Sequence, residues 1–383
     1  IQRELISISY QVQKDSFDDN IPVDDLLDQA QDDMFRLAER NMKRETLPIQ
    51  AVIREALDEI ERNQSREDGL SGVTSGFTGI DKMTLGWQPS DLVIIAARPA
   101  MGKTAFVLSM AKNIAVNFKR PVAMFSLEMS NVQLVNRLIM NVCEIEGDKI
   151  KNGRLSKQEW NKMESKINEL MGAPIYIDDT PGLSIFELQS KARKLVREKK
   201  VELIIIDYLQ LMNANGANFG SREQEVSIIS RRLKWIAKEL DIPVIALSQL
   251  NRNVEKRDSS NSNVEGKKPQ LSDLRESGAI EQDADMVCFI HRPEYYRIYN
   301  DEKTGKDLRG LGQIIVAKHR NGATDEVWMR FIGKYAKFQN ENEAFDEGIY
   351  DTVTPTASAT FQSKMNSIPD ANGAKLDDDI EPF

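Results

Sequence analysis

Two patterns of hydrophobic and polar residues divide this chain. Residues up to about 65 carry apolar side chains at helical spacing, whereas from Ser71 to about Asn340 short apolar runs alternate with helical stretches. The apolar runs that predict strands lie at 91–97, 121–126, 174–177, 202–207, 242–248, 285–291, 313–318, 325–331 and 336–338. Helical stretches at 103–118, 130–144, 156–170, 184–199 and 221–240 separate most of the early ones. This alternation predicts an α/β domain over 66–340, with a largely parallel sheet, helices on both faces and antiparallel pairing among the last strands.

The flanking segments predict three further regions. Residues 1–45 have a helical apolar stripe, which begins after Pro22 and consists of Val23, Leu26, Leu27, Ala30, Met34, Leu37 and Ala38. Residues 46–65 predict a single helix with one narrow stripe, Ile49, Val52, Ile53, Ala56, Leu57 and Ile60. Either this helix packs on its own domain or it is a linker helix that docks on a neighbouring subunit, which its isolation favours. Residues 341–383 are acidic and poor in apolar side chains, which predicts a disordered tail.

The stretch Asp91–Thr104 combines a buried strand, a tight loop and Gly102-Lys103-Thr104 at the start of a helix. Main-chain N–H groups at such a helix start cradle phosphates, while the lysine reaches the β- and γ-phosphates and the hydroxyl binds Mg²⁺. The strict pattern has Gly where this chain has Ala97. We therefore predict a nucleoside triphosphate site whose residues are Arg98, Pro99, Ala100, Met101, Gly102, Lys103, Thr104 and Ala105.

Three strand ends supply candidate groups for hydrolysis. Asp207 ends an apolar run about one hundred residues after the loop, the place of an acid that holds the Mg²⁺ shell in such sheets. Glu128 follows the strand after the loop helix and could activate water, or it could be an exposed residue that caps the next helix. Gln249 ends strand 242–248 and could sense the γ-phosphate, or it could simply be polar at a strand end.

Lys318 and Arg320 lie two residues apart at the end of a strand, so their side chains should leave on the same face. Two adjacent cations repel each other unless an anion lies between them. A γ-phosphate of a neighbouring subunit could be that anion, with Arg320 as an arginine finger. The alternative is a pair of surface salt bridges.

Charge and cysteine content refine the prediction. The net charge of −9 conceals a central part, residues 66–340, that carries 41 basic and 35 acidic side chains, which permits a polyanionic partner. Cys143 and Cys288 lie in apolar surroundings typical of reduced core residues, which favours a cytoplasmic protein. No apolar run approaches the roughly 18 residues that a membrane helix needs, so we expect no membrane association.

The order of the motifs resembles the DnaB family of bacterial replicative helicases, which are ring-forming relatives of RecA-fold ATPases. The resemblance rests on 75–81 (SGFTGID), 96–104 (AARPAMGKT), 125–129 (FSLEM), 206–210 (IDYLQ), 247–252 (LSQLNR), 273–285 (DLRESGAIEQDAD) and 318–322 (KHRNG). Ala97 is usual in this family. The resemblance implies a RecA-like core preceded by a linker helix and the final helical hairpin of an N-terminal helical domain.

The resemblance also implies an activity and roles for single residues. ATP with Mg²⁺ would drive 5′ to 3′ translocation on single-stranded DNA through a homohexameric ring and unwind the replication fork, with primase and a helicase loader as partners. Glu128 would be the catalytic base, Asp207 with Thr104 the Mg²⁺ ligands and Gln249 the sensor, while Lys318 and Arg320 would act on a neighbour's nucleotide.

The same resemblance assigns DNA contact to Arg275, Glu276 and Gly278. A single arginine and main-chain amides can grip a phosphate without reading bases, as a sequence-independent motor requires. Arg275 could instead form a local salt bridge with Asp273 or Glu276.

Other functions fit the sequence less well. Another RecA-fold DNA-dependent ATPase, a recombinase or a helicase loader, would lack the N-terminal helices and the 273–285 run. A non-hydrolysing scaffold would lack Glu128, Gln249 or the Lys318–Arg320 pair. A small-molecule kinase would need neither the two irregular segments at 213–221 and 251–269 nor cations placed for another subunit.

Overall fold

The computed structural model describes most of the chain up to residue 342. The described residues are 2–18, 48–64, 69–214, 221–251, 264–301 and 303–342, with single positions between 23 and 37 and at 254. Residues 343–383, which include almost all of the predicted acidic tail, lie outside the described residues, as do 215–220 and most of 252–263.

The strands of the structure lie within a few residues of the predicted ones. In chain order they are β1 Leu92–Ala97, β2 Val122–Ser126, β3 Ile175–Asp178, β4 Leu203–Asp207, β5 Val244–Gln249, β6 Met286–His291, β7 Leu311–His319, β8 Glu326–Ile332 and β9 Lys337–Asn340. They form one sheet in the order β3-β2-β4-β5-β1-β6-β7-β8-β9. The pairs from β3 to β6 are parallel and those from β6 to β9 are antiparallel, so both parts of the prediction are confirmed.

Three of the described α-helices precede β1, and the others lie between the parallel strands. The described helices are α1 Gln2–Asp15, α2 Ile49–Gln64, α3 Thr78–Thr84, α4 Lys103–Lys112, α5 Asn131–Cys143, α6 Gly147–Asn152, α7 Lys157–Met171, α8 Ile185–Lys199, α9 Arg222–Leu240 and α10 Gly278–Asp283. The predicted helix 103–118 is α-helical only to Lys112 and continues as a π-helical turn, Asn113–Asn117. The predicted helices did not include the short helices α3, α6 and α10.

Serine hydroxyls fix the start of α7, α8 and α9. Ser156, Ser184 and Ser221 each accept a hydrogen bond from the main-chain N–H three residues later, at 3.2, 3.2 and 3.4 Å. Such a cap satisfies one of the N–H groups that have no partner inside the helix. The strand-to-helix junctions are therefore determined locally, which explains why these boundaries could be predicted.

The core lies on both faces of the sheet because alternate residues of each strand point to opposite sides. In β1, Leu92, Ile94 and Ala96 pack with residues of α8 and α9, whereas Val93, Ile95 and Ala97 pack with residues of α4 and α5. All six side chains of β1 are buried. The carboxyl ends of the parallel strands thus lie together on one side of the domain, with helices on both faces of the sheet. Ligands bind at this place in such folds.

The N-terminal helices expose their apolar side chains. In α2, the large apolar residues of the predicted stripe are 46% to 74% exposed. The described residues therefore leave this stripe largely uncovered, and the choice between packing on its own domain and docking on a neighbouring subunit stays a prediction. In the preceding stripe, Leu37 is buried and Val23 is 71% exposed, while Pro22, Leu27 and Ala38 lie outside the described residues.

Candidate nucleotide site

The loop after β1 has a backbone that requires glycine at one position. Gly102 has φ +94°, and a Cβ there would lie 3.0 Å from Cε2 of Phe338 and 3.3 Å from Cε2 of Phe331. Ala100 also has positive φ, +64°. Ala97, by contrast, is still part of β1 and pairs with Gln249. An extended strand residue needs no glycine, which is the physical reason why Ala97 does not count against the loop.

The hydroxyl and carboxylate predicted to hold Mg²⁺ are in direct contact. Oγ1 of Thr104 donates a hydrogen bond to Oδ2 of Asp207 at 2.8 Å. Nζ of Lys103 donates to the main-chain oxygen of Ser248 at 3.1 Å and lies 4.9 Å from the ring centroid of Tyr208. The ends of β1, β4 and β5 thus place an ammonium, a hydroxyl and a carboxylate together.

Burial shifts the protonation of these groups toward their neutral forms. It lowers the pKa of Lys103, against the charges of Asp207 and Glu128, which raise it. Burial also raises the pKa of Asp207, against the hydrogen bond from Thr104 and the charge of Lys103, which lower it. A triphosphate would stabilise the ammonium and a divalent cation would stabilise the carboxylate. The donor set therefore fits a nucleotide with a hard cation that takes oxygen ligands.

Glu128 lies beside this constellation. Its side chain is exposed, and its charge raises the pKa values of Lys103, Asp207 and Tyr208. It lines a cavity of about 890 Å³ whose wall includes Ala100, Gly102, Arg137 and Lys334. The structure thus brings Glu128 to the phosphate loop.

Gln249 lies at the end of β5, on the other side of β1 from β6. It lines a cavity of about 440 Å³ together with Asp273 and Leu274. Its main-chain N–H donates to Oε1 of Gln210 at 3.3 Å. Gln249 therefore lies between the phosphate loop and the segment predicted to contact DNA.

The remaining loop residues differ in their burial and in their contacts. Pro99 and Ala100 are exposed, whereas Met101 and Ala105 are buried in the core beneath the loop. The buried Arg98 donates from Nη1 to the main-chain oxygen of Leu250 at 2.7 Å. Its guanidinium therefore ties the loop to the end of β5, which is a structural contact in addition to the predicted nucleotide contact.

Sequence reasoning did not single out three residues that complete the site. Tyr208 lies over Lys103, Ser248 accepts its hydrogen bond, and Gln210 donates from Nε2 to Oγ of Ser248 at 2.8 Å. Two of them are in the 206–210 motif and the third precedes Gln249. Their proximity to Asp207 and Gln249 in sequence is the signal that could have found them.

Lys318 and Arg320 lie at the end of the strands opposite to the phosphate loop. Because β7 is antiparallel to β6, His319 is level with Met286, and Met286 pairs with Val93 near the start of β1. The phosphate loop follows the other end of β1, about 15 Å away at about 3.3 Å per residue. The two cations are thus far from the chain's own loop.

Both cations have partners in their own chain. Lys318 donates to the main-chain oxygens of Glu281 and Ala284 at 2.5 and 2.8 Å. Arg320 forms an ion pair with Asp285 at 3.2 Å and donates to the main-chain oxygen of Gln282 at 2.5 Å. The two side chains reach the same segment, which agrees with the prediction that they share a face. The salt-bridge alternative is realised for Arg320, whose side chain remains 46% exposed.

The segment predicted to contact DNA is helical. Residues Leu271–Ser277 form a 3-10 helix, and α10 begins directly after it at the exposed Gly278. The side chains of Arg275 and Glu276 lie outside what the structure describes. In the same segment, the carboxylate of Asp273 accepts a hydrogen bond from the main-chain N–H of Gln270 at 2.7 Å.

Two observations concern the expectations drawn from the cysteines and from the hydropathy of the chain. Cys143 and Cys288 are both buried and unbonded to each other, and burial raises the pKa of the Cys288 thiol to about 12. In the described part of the chain, no helix is both long and apolar enough to cross a membrane.

Comparisons with known proteins give one consistent result. The family described as "DnaB-like helicase C terminal domain" matches residues 72–340. The replicative DNA helicase DnaC of Bacillus subtilis (strain 168) and the replicative DNA helicase DnaB of Geobacillus stearothermophilus are each 41% identical over 347 residues, which are 91% of this chain and 74% of each relative.

Solved structures agree with this result. One solved ATPase domain superposes with a TM-score of 0.67 at 40% identity, covering 75% of this chain and 98% of that chain. A DnaB-like replicative helicase, solved in a study of its interactions with primase, superposes with a TM-score of 0.68 at 36% identity, covering 88% of this chain and 76% of that chain.

Proposed function

The chain belongs to the DnaB-like family of replicative DNA helicases, ATP-dependent enzymes with a RecA-like core, and on that premise we propose that it works as a homohexameric ring whose ATP sites are each completed by the next subunit. One observation supports the shared site above all. The phosphate loop lies at one end of the strands of the sheet and the Lys318–Arg320 pair lies at the other end. A head-to-tail ring brings such unlike surfaces together at every interface.

The chain's own half of the site binds the nucleotide. The N–H groups at the start of α4 and the ammonium of Lys103 bind the phosphates, while Thr104 and Asp207 would hold Mg²⁺. When bound, Mg²⁺ neutralises charge on the β- and γ-phosphates. Glu128 accepts the proton of the attacking water. Gln249 donates a hydrogen bond to the γ-phosphate, and when hydrolysis removes this phosphate, the change reaches the neighbouring Asp273 and Leu274.

The neighbour's half stabilises the transition state. Arg320 and Lys318 approach the γ-phosphate from the adjacent subunit, and an arginine in that role contributes about 10³ to 10⁵ in turnover. Nearly half of the Arg320 side chain is exposed in the isolated chain, so the guanidinium is accessible to a second subunit.

We place single-stranded DNA against the 271–278 segment of each subunit. Arg275, Glu276 and Gly278 contact the phosphate backbone, and the excess of basic residues in the central domain favours a polyanion. Hydrolysis around the ring then moves the strand 5′ to 3′ and separates the duplex at the fork. The cavity that Gln249 shares with Asp273 provides a short route between nucleotide and DNA.

The N-terminal segments join the subunits and recruit partners. We assign 1–45 to an N-terminal helical domain and 46–65 to a linker helix that docks on the neighbouring subunit through the exposed stripe of α2. Primase and a helicase loader are the proposed protein partners, and the similarity to a helicase studied with primase supports the first. The buried, unbonded cysteines are typical of a reducing compartment, so we place the enzyme in the cytoplasm.

Fork unwinding by mixed rings tests this proposal. Wild-type protein mixed with Lys103→Ala protein should lose unwinding of a forked DNA more steeply than the mutant fraction rises, because unwinding needs every interface of a ring to act in turn, although a single intact interface can still hydrolyse ATP. Forks with a 5′ or a 3′ single-stranded tail report the polarity in the same assay. A linear loss would argue against the shared ring, and unwinding that needs only the 3′ tail would contradict the proposed direction.

A further inference from the structure

Asp285 occupies a position between the two halves of the proposed machinery. It lies between α10 and β6, and only 6% of its side chain is exposed. Its main-chain N–H donates to the oxygen of Leu92, and its Oδ2 accepts from the N–H of Leu92 at 2.8 Å. The residue is therefore anchored to the first residue of β1, the central strand of the sheet.

Further contacts of Asp285 reach Arg320, in addition to the contact between its Oδ2 and Nζ of Lys234. Oδ1 of Asp285 accepts from Nη1 of Arg320 at 3.2 Å, and the main-chain oxygen of Asp285 accepts from the main-chain N–H of Arg320 at 2.9 Å. Nη2 of Arg320 donates to the oxygen of Gln282 at 2.5 Å. The guanidinium is thus held at two nitrogens, and its main chain is held at a third point.

The carbonyl groups near the C-terminal end of α10 complete the arrangement. The oxygens of Glu281 and Ala284 both accept from Nζ of Lys318. Carbonyl groups at a helix end have no partner inside the helix and attract cations. The two cations therefore lie side by side despite their mutual repulsion, because the carboxylate of Asp285 and three carbonyl groups of one short segment hold them.

We propose that Asp285 is a positioning residue for the shared ATP site: its carboxylate, together with the end of α10, fixes Arg320 and Lys318 in the geometry that the nucleotide of the neighbouring subunit requires. This inference rests on the proposed function, because it assigns Asp285 a role only if Arg320 acts across an interface. Asp285 does not itself contact the nucleotide. A guanidinium that is held in place loses less conformational freedom on reaching the transition state than a mobile one. Loss of the contact with Asp285 therefore lowers turnover rather than substrate binding.

The test measures DNA-stimulated ATP hydrolysis by Asp285→Asn protein. The variant keeps the size of the side chain but removes the charge that holds Arg320. We expect kcat to fall about 10-fold or more while KM for ATP stays within about 2-fold, as for a misplaced catalytic group. Lys234→Met is the matched control: Nζ of Lys234 contacts Oδ2 of the same carboxylate at 2.5 Å but does not hold Arg320. Its kcat should stay near the wild-type value.

A buried carboxylate can also matter for folding, so a second variant separates the two roles. Asp285→Asn removes the nearest carboxylate of Lys234, which keeps the main-chain oxygen of Ser90 and the more distant Asp91, whereas Asp285→Asn with Lys234→Met removes both charges and should fold close to normally. The double variant should retain assembly and still show the low kcat. Wild-type kcat in an assembled Asp285→Asn or double variant would overturn the inference.

A double-mutant cycle and mixed rings identify the partner of Asp285. On an Arg320→Ala background, Asp285→Asn should cause no additional loss of kcat, whereas a further multiplicative loss would overturn the inference. In mixtures, Asp285→Asn should regain activity with Lys103→Ala subunits and not with Arg320→Ala subunits. The reverse pattern would mean that Asp285 acts through β1 on its own phosphate loop. If Arg320→Ala protein itself hydrolyses ATP normally, the shared site of the proposed function fails, and this inference fails with it.

Discussion

Replacement of Gly102 by alanine should damage the phosphate loop, and the geometry of the loop allows the loss of stability to be worked out. At φ +94° an L-residue is strained by about 1 to 2 kcal/mol. The new Cβ would also lie 3.0 Å from Phe338 and 3.3 Å from Phe331. Since both rings pack in the core, their displacement adds about 1 kcal/mol or more. The expected loss of stability is about 3 kcal/mol, or roughly 6 to 12 °C in Tm for a domain of this size.

Gly305→Ala is the matched control for this prediction. Gly305 also has positive φ, +69°, but a Cβ there meets nothing within 4 Å. The control should therefore lose only the strain, about 1 kcal/mol, which is roughly 2 to 4 °C in Tm. Thermal unfolding and ATP hydrolysis of both variants provide the comparison, and only Gly102→Ala should lose hydrolysis. Equal shifts of Tm would refute the packing of Phe338 against the loop, and normal hydrolysis by Gly102→Ala would refute the loop as the phosphate site.

The remaining predictions concern pH, DNA and assembly. Burial and the charge of Asp285 raise the pKa of Asp91 to about 6, so its ionised form destabilises the fold above that pH, and this penalty fades as the pH falls from 6 to 4. Asp91→Asn should therefore raise Tm at pH 8 and change it little at pH 4.5; an equal shift at both values would contradict the assignment. Burial lowers the pKa of His291 to about 4, so the unfolded chain takes up a proton first and stability should fall between pH 6.5 and 4. His291→Phe should remove that dependence in a series of melting curves, and an unchanged pH slope would count against it. Arg275→Ala should weaken binding to all single-stranded sequences alike and reduce the salt dependence by about one charge, so a selective loss would mean that this segment reads bases. Leu57→Ser, on the exposed stripe of α2, should leave Tm of the ATPase domain unchanged and lower the hexamer fraction in sedimentation; a normal hexamer would refute docking by the linker helix.

The parts of the fold that could be predicted depend on local sequence. Apolar runs such as Leu203–Asp207 form buried strands because all their side chains need a partner layer, and serine caps begin the helices between them. The short helices α6 and α10, six residues each, have too few turns to show a helical period. They were missed for that reason.

The parts of the site that could not be predicted depend on long-range contacts. The motif sequence identified Lys103, Thr104 and Asp207, but not that Phe338 packs against Gly102 from the far end of the chain. Nor could spacing indicate that Arg320 is held by Asp285, 35 residues earlier, since that contact arises only when β7 pairs antiparallel with β6. The structure contains the salt bridge of Arg320, whereas its role as an arginine finger stays a prediction.

Complementation between two inactive proteins tests the shared site most directly. Lys103→Ala lacks one half of the site and Arg320→Ala lacks the other, so each protein alone should have little DNA-stimulated ATPase activity. In a randomly mixed ring, about a quarter of the interfaces join an intact phosphate loop to an intact Arg320, because unlike surfaces meet at every head-to-tail contact. Equimolar mixing should therefore restore activity to these interfaces. No recovery in mixed rings, shown to be mixed by differently tagged subunits, would contradict the account.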